Sequence, residues 1–193
     1  MEDDKKTKLN GSLVHRFYQS AIVAGARLTC FVYSQVPRTN SDLGERVRGT
    51  AHDDLIALAI SGRRLLESTG FVERARELTV SSVIPTQLRP SIVLSEVEKV
   101  SLWRFMNLLV HSKTLEIIST NAELIFRFEV NLSIAEMYKI EVFQRENISP
   151  LVFARSDREE LRLYSLKDCV EAFDVCLDEV VTFCARHRIF LGD

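Results

Sequence analysis

The chain has 193 residues, 46% hydrophobic and 27% charged, with a formal net charge of −2, which is the size and composition of one ordinary globular domain. A charge so near zero gives no global positive field for holding long nucleic acid, so any RNA contact must come from a local patch. Its four cysteines form no C-x-x-C pair, which argues against a zinc site or a disulfide frame.

The opening "MEDDKKTKLN" lacks the apolar core of a signal peptide, and residues 1–11 are expected to be flexible. Residues 18–34 are apolar but carry Gln19 and Arg27, too polar for a membrane span; a reducing cytoplasm is the expected location. "SLVHRFYQSAIVAGARLTCFVYSQ" (12–35) has helical spacing, with Ser12 as N-cap and Pro37 beyond its end. The polar stretch 38–50 reads as a loop. A second helix then carries Leu55, Ala59, Gly62 and Leu66 in one stripe and breaks or bends near Gly70.

Residues 79–94, with two prolines and no helical period, read as a connection. A third helix is expected from Ser95, with Glu98 completing a capping box, to about His111. The period then shifts from helical to alternating. "KTLEIIS" and "AELIFRFEV" predict one hairpin, "AEMYKIEVF" a further strand, and "LVFAR" with "ELRLY" a second hairpin across the turn "SDRE". The last amphipathic helix opens at Ser165 with Asp168 as its capping partner, and should rejoin the bundle. Cys169, Cys176 and Cys184 lie along it and read as small buried apolar residues. The predicted architecture is one domain over 12–193, mainly α and α+β overall. In it a helical bundle is interrupted by a β-hairpin or meander at about 113–164, before the C-terminal helix.

The motif of interest is "SLWRFMNLLVHS" (101–112). Arg104 and His111 are seven residues apart, about 20° in helical direction, with Asn107 between them at i+3 and i−4. A second arginine-to-histidine spacing, Arg46 to His52, crosses Gly49 and would put its side chains on different helical faces. A face carrying Arg, Asn and His can cleave an RNA phosphodiester without a metal. Histidine moves a proton to or from a ribose hydroxyl. Arginine neutralises charge on the pentacoordinate phosphorus, and asparagine orients the imidazole or the phosphate. One histidine is thin for a complete acid–base cycle, so the mechanism calls for a homodimer that supplies a second.

A purely structural role fits the same residues. His111 then complements the helix C-terminus, and Arg104 pairs with Glu98 or Glu67. Arg63 and Arg64 are candidates for RNA phosphate, or for ion pairs with Glu67 and Asp53. His15 and Arg16 are weaker candidates of the same kind, and His187, between Arg186 and Arg188, is explained by its helix end. No nucleophile elbow, phosphate-cradling glycine loop or metal-ligand spacing is present, and no metal or cofactor is expected.

"SLWRFMNLLVHS" resembles the signature helix of the HEPN superfamily, in particular bacterial HEPN-like members with a leucine-arginine-x-x-asparagine-x-x-isoleucine-histidine segment. "DLIALAISGRRLLE" (54–67) is similar to their second bundle helix. The resemblance covers 12–111 in helix order and 165–187 more loosely. It implies a dimerising helical bundle and, in many members, a metal-independent endoribonuclease of toxin–antitoxin, phage-defence or RNA-processing systems. Arg104 and His111 would be catalytic, with Asn107 at the intervening polar position. An RNA substrate and an antitoxin or other protein partner follow from the same resemblance. Phe105 stands where the family motif usually has a polar residue. The alternative the family offers is a non-catalytic module for dimerisation or partner binding.

Overall fold

The computed structural model describes residues 11–33, 42–88, 91–94, 97–118, 150–157, 161–189 and 191. Helix outweighs strand among them, and the fold is α+β. Helices α1 (Gly11–Tyr33) and α2 (Asp42–Thr69) form an antiparallel pair. Their contacts run in opposite directions: Ser61 donates to Ser20 at 2.9 Å, and Arg27 meets Asp54 at 3.4 Å. Leu28, Leu55, Leu58 and Leu66 of the two helices are buried in the core, as apolar stripes at helical spacing are.

Helix α2 stops at Gly70, whose φ of +81° suits a residue without Cβ. Phe71 N–H then returns to the Leu66 carbonyl at 2.9 Å. A short helix, α3 (Val72–Glu77), follows, so the predicted break is present. Helix α2 begins earlier than expected, at Asp42, so residues 42–50 are helical rather than loop. Gly44 and Gly49 had weakened that helical signal.

The stretch expected to be a connection contains three strands: β1 (Thr79–Val83), β2 (Pro85–Leu88) and β3 (Ser91–Leu94). Pro85 opens its strand, a position that does not interrupt a ladder. A fourth strand, β4 (Glu98–Ser101), occupies the place expected for the first turn of the third helix. That helix, α4 (Leu102–His111), is shorter than predicted. Its N-cap is Ser101, whose hydroxyl accepts from Arg104 N–H at 3.3 Å. Ser95 and Glu98 had imitated a capping box one turn too early.

Beyond α4 lie β5 (Thr114–Ile118), β6 (Leu151–Arg155), β7 (Arg162–Ser165) and α5 (Leu166–Arg186). The β6–β7 hairpin has the expected partners, with Phe153 opposite Leu163. The predicted strands in 122–130 and 135–143 fall outside the described residues. The main sheet has the order β4-β1-β7-β6-β5 and all its pairs are antiparallel; β2 and β3 pair separately. The β structure is therefore not confined to an insertion at 113–164, because β1 and β4 precede the motif helix and join the same sheet.

Helix α5 rejoins the bundle as expected. Phe173 packs against Gly62 of α2 so closely that a Cβ there would lie 2.5 Å from its ring. Phe71 and Phe183 meet edge to face at 5.6 Å, and Arg74 of α3 pairs with Glu179 at 2.9 Å. Cys169, Cys176 and Cys184 are buried along its inner face, whereas Cys30 is exposed. Burial, with a smaller contribution from Asp168, pushes the Cys169 thiol up to about 12. Burial and Glu179 push Cys176 to about 11. A thiol reagent on the folded protein is expected to label Cys30 quickly and the other three only after denaturation. Fast labelling of two or more thiols would contradict this packing.

The α5 N-terminus is tied to the sheet by a polar cluster. Ser165 caps Asp168 N–H at 3.1 Å, and Asp168 accepts from Ser81 N–H at 2.9 Å and from the Ser81 hydroxyl at 2.5 Å. Lys99 stands 3.6 Å from the carboxylate. Burial on its own raises the Asp168 pKa. The Ser81 and Ser165 bonds and the Lys99 charge outweigh it and hold the group below the usual carboxylate value. A depressed folded-state pKa gives stability that is present above the unfolded value and lost as pH falls through the folded one. Melting temperature is thus expected to fall on acidification below the ordinary carboxylate range, and Asp168→Asn to flatten that limb. An unchanged acid limb in the variant would sink this account. No described helix is long and apolar enough to cross a membrane.

Candidate functional site

Helix α4 connects β4 at one edge of the sheet to β5 at the other, so it must cross a sheet face. Leu102, Phe105, Met106, Leu108 and Leu109 are its buried residues. Phe105 is fully buried and its ring lies 4.7 Å from that of Tyr164 on β7. With that face committed to the core, the opposite one looks outward. Arg104 and His111 are exposed and Asn107 is half-buried.

These three side chains line one groove of about 630 Å³, together with Trp103, Leu108, Ser156 and Asp157. The helix supplies the floor, and the residues just after β6 supply the far side. Ser112 ends the helix, its hydroxyl donating to the Leu109 carbonyl at 2.9 Å. Lys113 N–H then donates to the Arg155 carbonyl at 2.9 Å, which fixes the helix end against the strand that delivers Ser156 and Asp157. Asp157 also forms an ion pair with Lys113.

The predicted trio is therefore brought together on an accessible surface, away from the bundle interior. Glu98 and Glu67, considered as partners of Arg104, each hold another arginine, and Arg104 has an interaction of its own elsewhere. Glu98 accepts from Arg162 at 2.6 Å, and Glu67 accepts from Arg63 at 3.3 Å and Arg64 at 3.2 Å. Arg104 occupies the first turn of α4, where the helix dipole disfavours a cation. An anion bound beside it would offset that penalty.

Arg63 and Arg64 do not line the groove. Arg63 nevertheless reaches its wall, with its guanidinium 5.4 Å from the centre of the Trp103 ring. His15 and Arg16, in the first turns of α1, do not line it either. His187 caps α5 and stacks on Phe183 at 4.1 Å. Ser156, Asp157 and Trp103 were not identified from the sequence as site residues. Trp103 lies about 100° from Arg104 in helical direction, off the shared face, and the other two come from a distant turn that helical spacing cannot reach.

A second polar cluster, Ser81 with Lys99 and Asp168, has the residue types of a serine–lysine nucleophile. Ser81 is fully buried; its hydroxyl donates to Asp168 and accepts from the Lys99 ammonium at 2.5 Å, so its proton is already committed to the carboxylate. Its geometry is that of a helix anchor. Among the described residues, no three or more His, Cys, Asp or Glu side chains are grouped as a metal would need. No family model matches the chain, and no curated protein or solved structure matches it.

Proposed function

We propose that this protein is a HEPN-like, metal-independent endoribonuclease that acts as a homodimer, with Arg104 and His111 as its catalytic pair. The observation that carries the reading is that Arg104, Asn107 and His111 line one accessible groove side by side. Burial of these side chains within the bundle would have pointed to a structural role instead.

In the proposed reaction the ribose 2′-oxygen attacks the adjacent phosphorus and the 5′-oxygen leaves. The 2′-hydroxyl loses a proton and the leaving oxygen gains one. His111 takes one of these transfers, and the His111 of a second copy takes the other across a two-fold axis. Arg104 stabilises the charge on the phosphoryl oxygens. Asn107, one turn from each, orients the phosphate or the imidazole. By resemblance, such an activity belongs to a toxin–antitoxin or defence system under the control of a partner protein.

The alternative, a non-catalytic HEPN-like module, is favoured by one feature, the core placement of Phe105 where a polar residue is usual. Incubating purified protein with RNA in EDTA separates the two. Cleavage by the wild type and its loss in His111→Ala support the nuclease. Equal cleavage by both proteins, or none by either, overturns it.

A further inference from the structure

Trp103 is the chain's single tryptophan. It is half-buried on the groove wall, next to Arg104 in the chain. One side of the indole packs against the hydrophobic core. Trp103 also has the Arg63 guanidinium 5.4 Å from its ring centre. Arg63 is itself tethered to Glu67 at 3.3 Å, and it is not among the groove-lining residues. The ring is thus held by core packing and by a cation–π contact from α2, and it also lines the groove. A braced aromatic ring beside an exposed arginine combines a platform for a base with a cation for the phosphate attached to it, the two elements that single-strand recognition uses.

We infer that Trp103 is the base-stacking subsite of this groove, so that the site takes unpaired RNA and rejects the duplex. The inference rests on the nuclease reading for the identity of the ligand as RNA. A base inside a double helix is already stacked on both faces and cannot reach the indole without being extruded. An unpaired base lies on the ring, and its neighbouring phosphate then falls along α4 toward Arg104 and His111. Trp103 contributes to substrate binding and leaves the bond-breaking step to the other two.

Because the chain has one tryptophan, its emission reports on this subsite alone. The probes are a single-stranded 2′-O-methyl oligonucleotide, which lacks the attacking hydroxyl, the same sequence as a duplex, and ribose 5-phosphate. Saturable quenching by the single strand, with little response to the other two, is expected. Trp103→Ala should weaken binding of the labelled single strand about 10- to 100-fold. Trp103→Phe, which keeps a stacking face and most of the packing, should retain most of it. On cleavable RNA, Trp103→Ala should raise KM and leave kcat near wild type. Equal quenching by ribose 5-phosphate and the single strand, no response to any probe, or wild-type binding by Trp103→Ala overturns the subsite.

The two readings fail separately. Quenching by single strands without cleavage of ordinary RNA keeps the subsite and overturns the nuclease. Cleavage in EDTA with an unchanged KM in Trp103→Ala does the reverse.

Discussion

His111→Ala is expected to slow RNA cleavage by about 10²–10⁴-fold, the range for loss of a positioned proton-transfer group, with little change in melting temperature. The two outcomes separate because the side chain is exposed and lines the groove, so its removal opens no cavity. The helix end is held by Ser112, independently of the imidazole. Arg104→Ala should slow the reaction by about 10²–10³-fold, as when one donor to a developing oxyanion is lost. Arg104→Lys should recover only part of this, because an ammonium keeps the charge and loses the two-pronged contact. If the pair acts on one transition state, the double variant should be little worse than the poorer single one. Melting curves and single-turnover rates on the same preparations test all of this. A large fall in melting temperature in either alanine variant would move these residues back to a structural role.

Phe105→Asn carries the largest expected effect on stability. It introduces a polar residue after the arginine, as the HEPN motif that this helix resembles usually has, yet it should unfold the protein more readily without activating it. Phe105 is fully buried against Tyr164. Losing such an aromatic side chain costs about 3–5 kcal/mol. Leaving a buried amide without partners adds about 1–3 kcal/mol. The sum is comparable with the whole stability of a typical domain. Position 105 is also rotated by about 100° from Arg104, so the new amide would face the core. Urea denaturation should show a strongly lowered midpoint for Phe105→Asn and a smaller shift for Phe105→Leu. A stable and more active Phe105→Asn would mean that this face of α4 belongs to the site.

What was readable in the sequence is what depends on local periodicity and capping. Helices α1 and α5, the break at Gly70, the Ser165–Asp168 cap and the β6–β7 hairpin all follow from patterns within a few residues. The shared face of Arg104, Asn107 and His111 was readable for the same reason, since it needs only the helical angle. Two local signals misled. Ser95 and Glu98 have capping-box spacing, but Glu98 is drawn into β4 opposite Ser82, where it accepts from the Arg162 guanidinium. Prolines 85 and 90 argued for a connection, although Pro85 only opens a strand. Ser156 and Asp157 reach the groove through sheet pairing of β5 with β6, and the Arg63–Trp103 contact joins two helices far apart in the chain. Neither leaves a trace in spacing, because tertiary packing alone creates it.

On the proposed reading, the α4 groove breaks RNA by attack of the 2′-hydroxyl, using Arg104 and His111 in place of a metal. The most direct test is the chemistry of the ends produced in EDTA. Wild-type protein should leave 2′,3′-cyclic phosphate and 5′-hydroxyl ends, and His111→Ala should leave RNA of the same sequence intact. RNA left whole by the wild type, or the same ends at the same rate from His111→Ala, would overturn the nuclease reading.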